Sequence, residues 1–288
     1  MPTNQLDFVA VGPFKTGTSW IYNYLMNYQQ LALPTKVKET FFFDSKFEMG
    51  LDWYYSHFSD LEQNKMIGEI APSYFHSAKA PERIYEVNPN CKILVTLREP
   101  VSRLVSYYSH MQQRGEVKPG ASLTQALSEQ EVLQDTSLYY YHLCRWIEVF
   151  GAENVAVILF EKLQVSPDDF AQEIIQNLGI EEEDINYDLS TKVNASQVPV
   201  NHYLAKIIYS GVKFLHNQGL HKIVDYGKKI GIQQFIFSKK SQKPQLSQAE
   251  LMNAFNLCKE DILLLESNLN LDLSEWRKNW SEKGIKLN

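Results

Sequence analysis

Only three cysteines occur in the 288 residues, Cys91, Cys144 and Cys258, an odd number with each more than fifty residues from the next. That spacing suits neither a disulfide framework nor a paired-cysteine metal site, so all three are expected to be reduced and structural. Glycine (13) and proline (11) are too few for a fibre or a low-complexity chain. Positive charge is also short, with 28 Lys and Arg against 34 Asp and Glu for a net charge of -6. This argues against a nucleic-acid or anionic-membrane partner held by a general basic field, so any anionic ligand must be held by local groups. No stretch reaches the roughly 18 to 20 apolar residues of a membrane span, and Met1 to Leu6 contains no basic segment leading into an apolar one. A cytoplasmic location is therefore expected. His57, His76, His110, His142 and His202 show no ligand spacing, and no metal is expected. There is no repeat and no convincing linker. The 44% hydrophobic and 12% aromatic content then reads as one folded domain spanning residues 1–288.

Phe8-Val9-Ala10-Val11 is a short apolar run ending at Gly12, which predicts a buried parallel strand. A helix follows Thr18 and Ser19, either of which can supply the cap oxygen, and its apolar face is formed by Ile21, Tyr24, Leu25 and Tyr28. Further strands are predicted at Met66–Ile70, Lys92–Leu97 and Val155–Phe160. Helices are predicted at Val101–Arg114, Leu123–Leu133, Ser137–Phe150, Asp168–Leu178 and Ser247–Asn268, the last opening with a capping box formed by Ser247 and Glu250. Residues 193–244 read as helices with an ordered loop, lysine-rich at Lys239, Lys240 and Lys243. Alternating strands and helices predict an α/β fold with a central, mostly parallel sheet flanked by helices.

The segment Gly12-Pro13-Phe14-Lys15-Thr16-Gly17-Thr18-Ser19-Trp20 lies where a strand passes into a helix. Backbone N–H groups and the positive end of a helix there form an anion site. The turn is P-loop-like without being a P-loop, because its lysine precedes Gly17 by two residues instead of following the last glycine. The order Lys15-Thr16-Gly17-Thr18-Ser19-Trp20 resembles the 5′-phosphosulfate loop of sulfotransferases that use 3′-phosphoadenosine 5′-phosphosulfate (PAPS). Arg98-Glu99-Pro100-Val101-Ser102-Arg103-Leu104-Val105-Ser106 is similar to that family's 3′-phosphate motif, with Arg98 and Ser106 in the phosphate-holding places. Arginine suits this task because its fork binds phosphate through two hydrogen bonds. Arg103 is open between a solvated helix charge and a structural partner. Lys36-Val37-Lys38-Glu39-Thr40-Phe41-Phe42-Phe43 resembles the K-E-x-x-F-F segment of the Golgi glycan and bacterial branches, in which the glutamate is the general base. The likeness continues through Gly68–Phe75, Ser137-Leu138-Tyr139 with Trp146, and Leu271–Trp276, so it spans nearly the whole chain.

The resemblance implies sulfuryl transfer from PAPS, with 3′-phosphoadenosine 5′-phosphate (PAP) as the other product. Glu39 and Lys15 are the catalytic pair it implies. Lys15, Thr16, Gly17, Thr18, Ser19, Trp20, Arg98 and Ser106 are the nucleotide contacts, with Trp20 either stacked on adenine or packed in the helix. Acceptor contacts are implied at Lys38, Phe41, Tyr74 and Tyr139. Two departures stand out. Ile70 occupies the place where heparan sulfate sulfotransferases carry a second lysine, and Asn194–Asn201 lacks the basic residues of many relatives. Lys36, Lys38 or a histidine is expected to make up for the first. The acidic balance favours a small acceptor, such as an alkaloid or polyketide hydroxyl, free or tethered to a carrier protein. A nucleotide kinase and a PAP-binding relative without turnover stand as the rival readings.

Overall fold

A computed structural model describes residues 5–59, 61, 65–190, 207–212, 215 and 246–285. The Asn194–Asn201 segment, His202 and the lysines at 239, 240 and 243 lie outside these described residues. Five strands form one parallel sheet: β1 (Leu6–Val11), β2 (Leu31–Ala32), β3 (Met66–Ile70), β4 (Lys92–Leu97) and β5 (Val155–Leu159). Their order is β2-β3-β1-β4-β5. The central strand β1 sets Val9 opposite Glu69 and Ala10 opposite Ile70 on one side, and Phe8 opposite Lys92 and Val11 opposite Val95 on the other. The chain lays β2 and β3 to one side of β1, then crosses to add β4 and β5. The carboxyl end of β1 therefore opens into the crevice that such a reversal of winding creates.

Helices cover both faces because parallel strands need long crossovers. They are α1 (Thr18–Leu25), α2 (Phe42–Ser45), α3 (Leu51–Tyr55), α4 (Ala80–Val87), α5 (Pro100–Gln113), α6 (Leu123–Glu129), α7 (Glu131–Asp135), α8 (Tyr139–Phe150), α9 (Phe160–Val165), α10 (Pro167–Leu178), α11 (Gln248–Leu269) and α12 (Ser274–Glu282). Alternate residues of each strand face opposite layers. Phe8, Ala10, Ile70, Leu94 and Ile158 share a core with Trp20, Ile21 and Leu25 of α1 and with Phe170, Ile174 and Leu178 of α10. Val9, Val11, Ile93, Val95 and Leu97 share the other with Phe42, Tyr54, Leu104, Trp146, Phe255 and Trp276.

The expected capping box is present, with Ser247 and Glu250 each bonding the other's backbone at the start of α11. The single helix expected at Leu123–Leu133 is instead two, because Gln130 adopts an extended backbone (φ -121°, ψ 89°) between α6 and α7. The cap expected from Thr18 or Ser19 is also absent. Gly17 holds the cap position of α1 with no side-chain hydrogen bond. All three cysteines are unpaired. Among the described residues no helix is long and apolar enough to cross a membrane, and no group of three or more His, Cys, Asp or Glu is placed to hold a metal ion.

Candidate active site

Beyond Val11 the backbone turns sharply. Gly12 has φ 147°, and a Cβ there would lie 2.4 Å from the Thr96 carbonyl oxygen, so only glycine fits against the end of β4. Lys15 (φ 81°) and Gly17 (φ 91°) also have left-handed backbones, and the Lys15 conformation carries a strain of the kind that concentrates at functional sites. Thr16 is fully buried, donating its hydroxyl to the Pro13 carbonyl at 2.9 Å and lying 2.8 Å from the Thr96 hydroxyl. Its side chain therefore ties the loop to β4. The loop delivers the first N–H groups of α1, unclaimed by any capping side chain, to the crevice at the sheet's carboxyl edge.

Three cations gather around this turn. Arg98, just past β4, donates from Nη1 to the Lys15 carbonyl at 3.2 Å, and its guanidinium lies 4.7 Å from the centre of the Phe160 ring. Lys38 reaches in from the loop before α2 and donates from Nζ to Thr18 Oγ1 at 3.4 Å. Burial pushes the Lys15 pKa down, and the charges of Arg98 and Lys38 push the same way. Burial also lowers Lys38, against the opposing pull of Glu39 and Glu69. Three cations held close together in partly buried surroundings favour an anion as their partner. The side chain of Ser106, half-buried two turns into α5, makes no hydrogen bond among the described residues. His110, a turn further on, is pushed down to about 3 by burial and by the charges of Lys15 and Arg114.

Glu39 is half-buried beside Lys38 and accepts a hydrogen bond from the Ser73 N–H at 3.0 Å. Burial raises its pKa, with Lys38 and Ser73 working against the rise, which moves a carboxylate toward the range useful in a base near neutrality. Thr40, the next residue, donates its N–H (2.7 Å) and hydroxyl (2.8 Å) to Glu69 on β3. Lys36 turns the other way, to the Ser56 carbonyl. Of the two lysines on this segment, Lys38 is therefore the one at the anion loop. Ile70 faces the α1 layer and is fully buried in the core.

The remaining expected residues lie in, beside or behind this turn. Trp20 is buried, stacked on Tyr24 at 5.2 Å, with its indole N–H donating to the Leu189 carbonyl at 3.3 Å. Tyr74 and Tyr139 are fully buried. Tyr74 donates to Glu69 Oε2 at 3.0 Å and Tyr139 to the Arg98 carbonyl at 2.9 Å. Tyr139 thus fixes the backbone of an anion-site residue. Phe41 is 39% exposed with a left-handed backbone (φ 57°), next to Glu39 and Thr40. Gly17, Thr18 and Ser19 form the turn into α1. Arg103, left open by sequence, is a structural group: it is fully buried and donates to Thr136 Oγ1 (3.2 Å) and Ser137 Oγ (2.5 Å).

Sequence reasoning missed two carboxylates behind Arg98. Glu99 is fully buried and caps α5 by accepting from the N–H groups of Val101 (2.8 Å) and Ser102 (2.9 Å). It also accepts from the Trp280 indole (2.8 Å) and the Lys283 ammonium (2.6 Å). Glu161 accepts from the Glu99 N–H (2.9 Å) and the Trp276 indole (2.8 Å). The carboxyl-terminal helix is thereby fastened beneath the arginine. Glu69 was missed as well, although a lone acidic residue inside the apolar strand Met66–Ile70 was its signal.

Comparison with known proteins agrees on the fold and on the family to which these motifs point. A family model described as the sulfotransferase domain matches residues 5–222. The human bifunctional heparan sulfate N-deacetylase/N-sulfotransferase 3 is 29% identical over 194 residues, covering 60% of this chain and 22% of that protein. Human heparan sulfate glucosamine 3-O-sulfotransferase 6 is 30% identical over 169 residues, covering 55% of this chain and 48% of its own length. The chain thus spans well under two thirds of these curated relatives. The crystal structure of a sulfotransferase from Alicyclobacillus acidocaldarius shares the fold, with a TM-score of 0.65 at 22% identity, covering 94% of this chain and 98% of that one.

Proposed function

The chain belongs to the sulfotransferase domain family, and from that premise we propose that it moves a sulfuryl group from PAPS to a hydroxyl or amine nitrogen of a small acceptor. One observation carries the reading: Lys38, the neighbour of Glu39, touches Thr18 at the start of α1, which supports a shared crevice for Glu39 and the anion loop. In this mechanism the acceptor oxygen or nitrogen bonds to sulfur as the bond from sulfur to the bridging 5′-phosphate oxygen breaks. Glu39 takes the acceptor proton. Lys15 and Lys38 stabilise the charge developing on the leaving oxygen, which assigns to Lys38 the work of the lysine that Ile70 replaces. The N–H groups of Gly17, Thr18 and Ser19 hold the 5′-phosphate, and Arg98 and Ser106 hold the 3′-phosphate. These fixed donors supply the positioning and charge stabilisation that group transfer between oxygens requires.

The curated relatives carry names that refer to heparan sulfate, so glucosamine nitrogen and hydroxyl groups belong among the candidate acceptors. The net charge of -6 repels a polyanion and favours a small metabolite, free or on a carrier protein. Three unpaired cysteines suit a reducing compartment, and the cytoplasm is the setting proposed. The C-terminal helix fastened to Glu99 and Glu161 supports one domain over residues 1–288.

Thermal shifts with PAP, AMP and ATP test the nucleotide. PAP is expected to stabilise most, and Arg98→Ala to weaken PAP binding about tenfold to a hundredfold, the worth of one charge-assisted hydrogen bond. Equal shifts with PAP and AMP would remove the 3′-phosphate assignment, and a preference for ATP would favour a kinase. Turnover is then measured with PAPS against 2-naphthol, small alcohols, glucosamine and an N-desulfated heparan oligosaccharide, with and without EDTA. Activity abolished by EDTA and restored by magnesium would overturn the metal-free mechanism.

A further inference from the structure

Glu69 is a fully buried carboxylate bonded, among the described residues, only by uncharged groups. Oε1 accepts the Thr40 N–H and hydroxyl, and Oε2 accepts the hydroxyls of Tyr54 and Tyr74, each at 3.0 Å. Burying a charge without a bonded cation is costly, and the identity of the donors shows where the benefit falls. Tyr74 lies 3.0 Å from the Thr40 hydroxyl and in turn accepts the N–H groups of Phe42 (3.0 Å) and Phe43 (3.4 Å). The backbone donors of Thr40, Phe42 and Phe43 therefore end on Glu69, directly or through one tyrosine. This turn includes the left-handed Phe41 and follows immediately after Lys38 and Glu39. The same strand exit supplies the Ser73 N–H to Glu39. Each side thus offers a carboxylate to the other's backbone: Glu69 of β3 to the loop, and Glu39 of the loop to the residues after β3.

We propose that Glu69 is the positioning residue of the reaction, a buried template that holds the Thr40–Phe43 turn so that Glu39 and Lys38 face the anion loop. The inference rests on Glu39 being the base. It explains why an acidic residue is kept inside an otherwise apolar strand next to the core residue Ile70. Misplacing a reacting group by about an ångström costs on the order of a hundredfold in rate, so a template of this kind acts on turnover and leaves nucleotide affinity alone.

The test compares Glu69→Gln, Thr40→Val, Tyr54→Phe and Glu39→Gln, with kcat measured against PAPS and the acceptor panel, PAP affinity by calorimetry, and amide hydrogen exchange of residues 38–43 and 13–19. Glu69→Gln and Thr40→Val are expected to lower kcat about tenfold to a hundredfold and to speed exchange at 38–43, with PAP affinity and exchange at 13–19 unchanged. The double variant should be no worse than Glu69→Gln, because both changes remove one interaction. Tyr54→Phe, which keeps the ring packed on Phe42 and Phe43 and deletes only a hydroxyl that bonds Glu69 and no backbone group of the turn, should stay within about twofold of the parent. Wild-type exchange at 38–43 in both variants would overturn the proposal even if no acceptor on the panel reacts. Equal losses of kcat and PAP affinity, shared by Tyr54→Phe, would overturn it in favour of general packing. If Glu69→Gln does not fold, Thr40→Val carries the same comparison. Full turnover in Glu39→Gln would remove the base assignment itself, whereas full turnover in Glu69→Gln and Thr40→Val alone would remove only the template.

Discussion

The ends of β3 and β4 each bury a glutamate completely, and the two are held in opposite ways. At β4, burial works to raise the Glu99 pKa, but Lys283, Ser102 and Trp280 overcome it and keep the carboxyl below its usual range. At β3, burial outweighs the hydrogen bonds that Glu69 accepts from Thr40, Tyr54 and Tyr74, and its pKa is pushed up to about 7. The first arrangement is a charge-compensated anchor that fixes the end of β4, next to Arg98, to the C-terminal helix. The second is a template bonded by uncharged donors beneath the loop that carries the proposed base. Rigidity on the binding side therefore comes from an ion pair, and on the chemical side from hydroxyls and one peptide N–H. The two edges of the crevice should answer differently to mutation and to pH.

The largest expected effect breaks this division on the chemical side. Glu39→Gln should lower kcat by about 10² to 10⁴, the range for losing a general base, with PAP affinity unchanged in calorimetry. A matching loss of PAP affinity would mean that the two edges are not separable. Next comes Lys283→Met, which turns the Glu99 site into one without a cation, like that of Glu69. Leaving a buried charge unpaired costs about 3 to 5 kcal/mol, and the low end is expected because the Lys283 side chain is 26% exposed. Urea unfolding reads this directly, and an unchanged midpoint would show that the ammonium contributes nothing to the anchor. The smallest effect sharpens the comparison through pH. Burial holds the folded pKa of Glu69 above the ordinary glutamate value of 4.5, so the folded state binds the extra proton and stability falls as pH rises from about 4.5 through 7. At about 1.4 kcal/mol per pH unit the loss is about 3 kcal/mol, and Glu69→Gln should abolish it. Glu99, with a lowered pKa, contributes with the reverse sign: its stabilisation is present above about 4.5 and disappears as pH falls through its folded value. Parallel pH–stability curves for wild type and Glu69→Gln would contradict this account of the β3 end.

Much of the frame was legible because it depends on local pattern. The apolar runs of β1, β3, β4 and β5, the glycine turn after Val11 and the Ser247 capping box are all short-range signals, and each element lies within a residue or two of its expected place. What could not be read depends on partners far away in the chain. Tyr74 and Tyr139 match motif positions, but only the fold reveals that their hydroxyls bond Glu69 and the Arg98 carbonyl. Gln130 breaks a helix without glycine or proline to announce it. In an alternating strand Glu69 has the appearance of a solvent-facing residue, and its burial follows from α2, α3 and the turn at Pro72–His76 closing over that face. Ile70 illustrates the reverse case. A motif comparison marks it as a missing lysine, whereas its side chain belongs to the α1 layer of the core.

The fastening of Glu99 and Glu161 by Trp276, Trp280 and Lys283 also has a meaning in time. A chain emerging from the ribosome has all five strands once residue 159 is made, and the segment matched by the family model is complete at residue 222. The counter-charge for Glu99 arrives sixty residues later. Until then the Glu99 carboxylate lacks both the Lys283 ammonium and the Trp280 indole that hold it in the finished fold, so that edge of the crevice is the last to be fastened. Completion of the anion site is thereby coupled to translation of the C-terminal helix, and a chain interrupted after its last strand is left with a scaffold whose principal arginine is not yet locked.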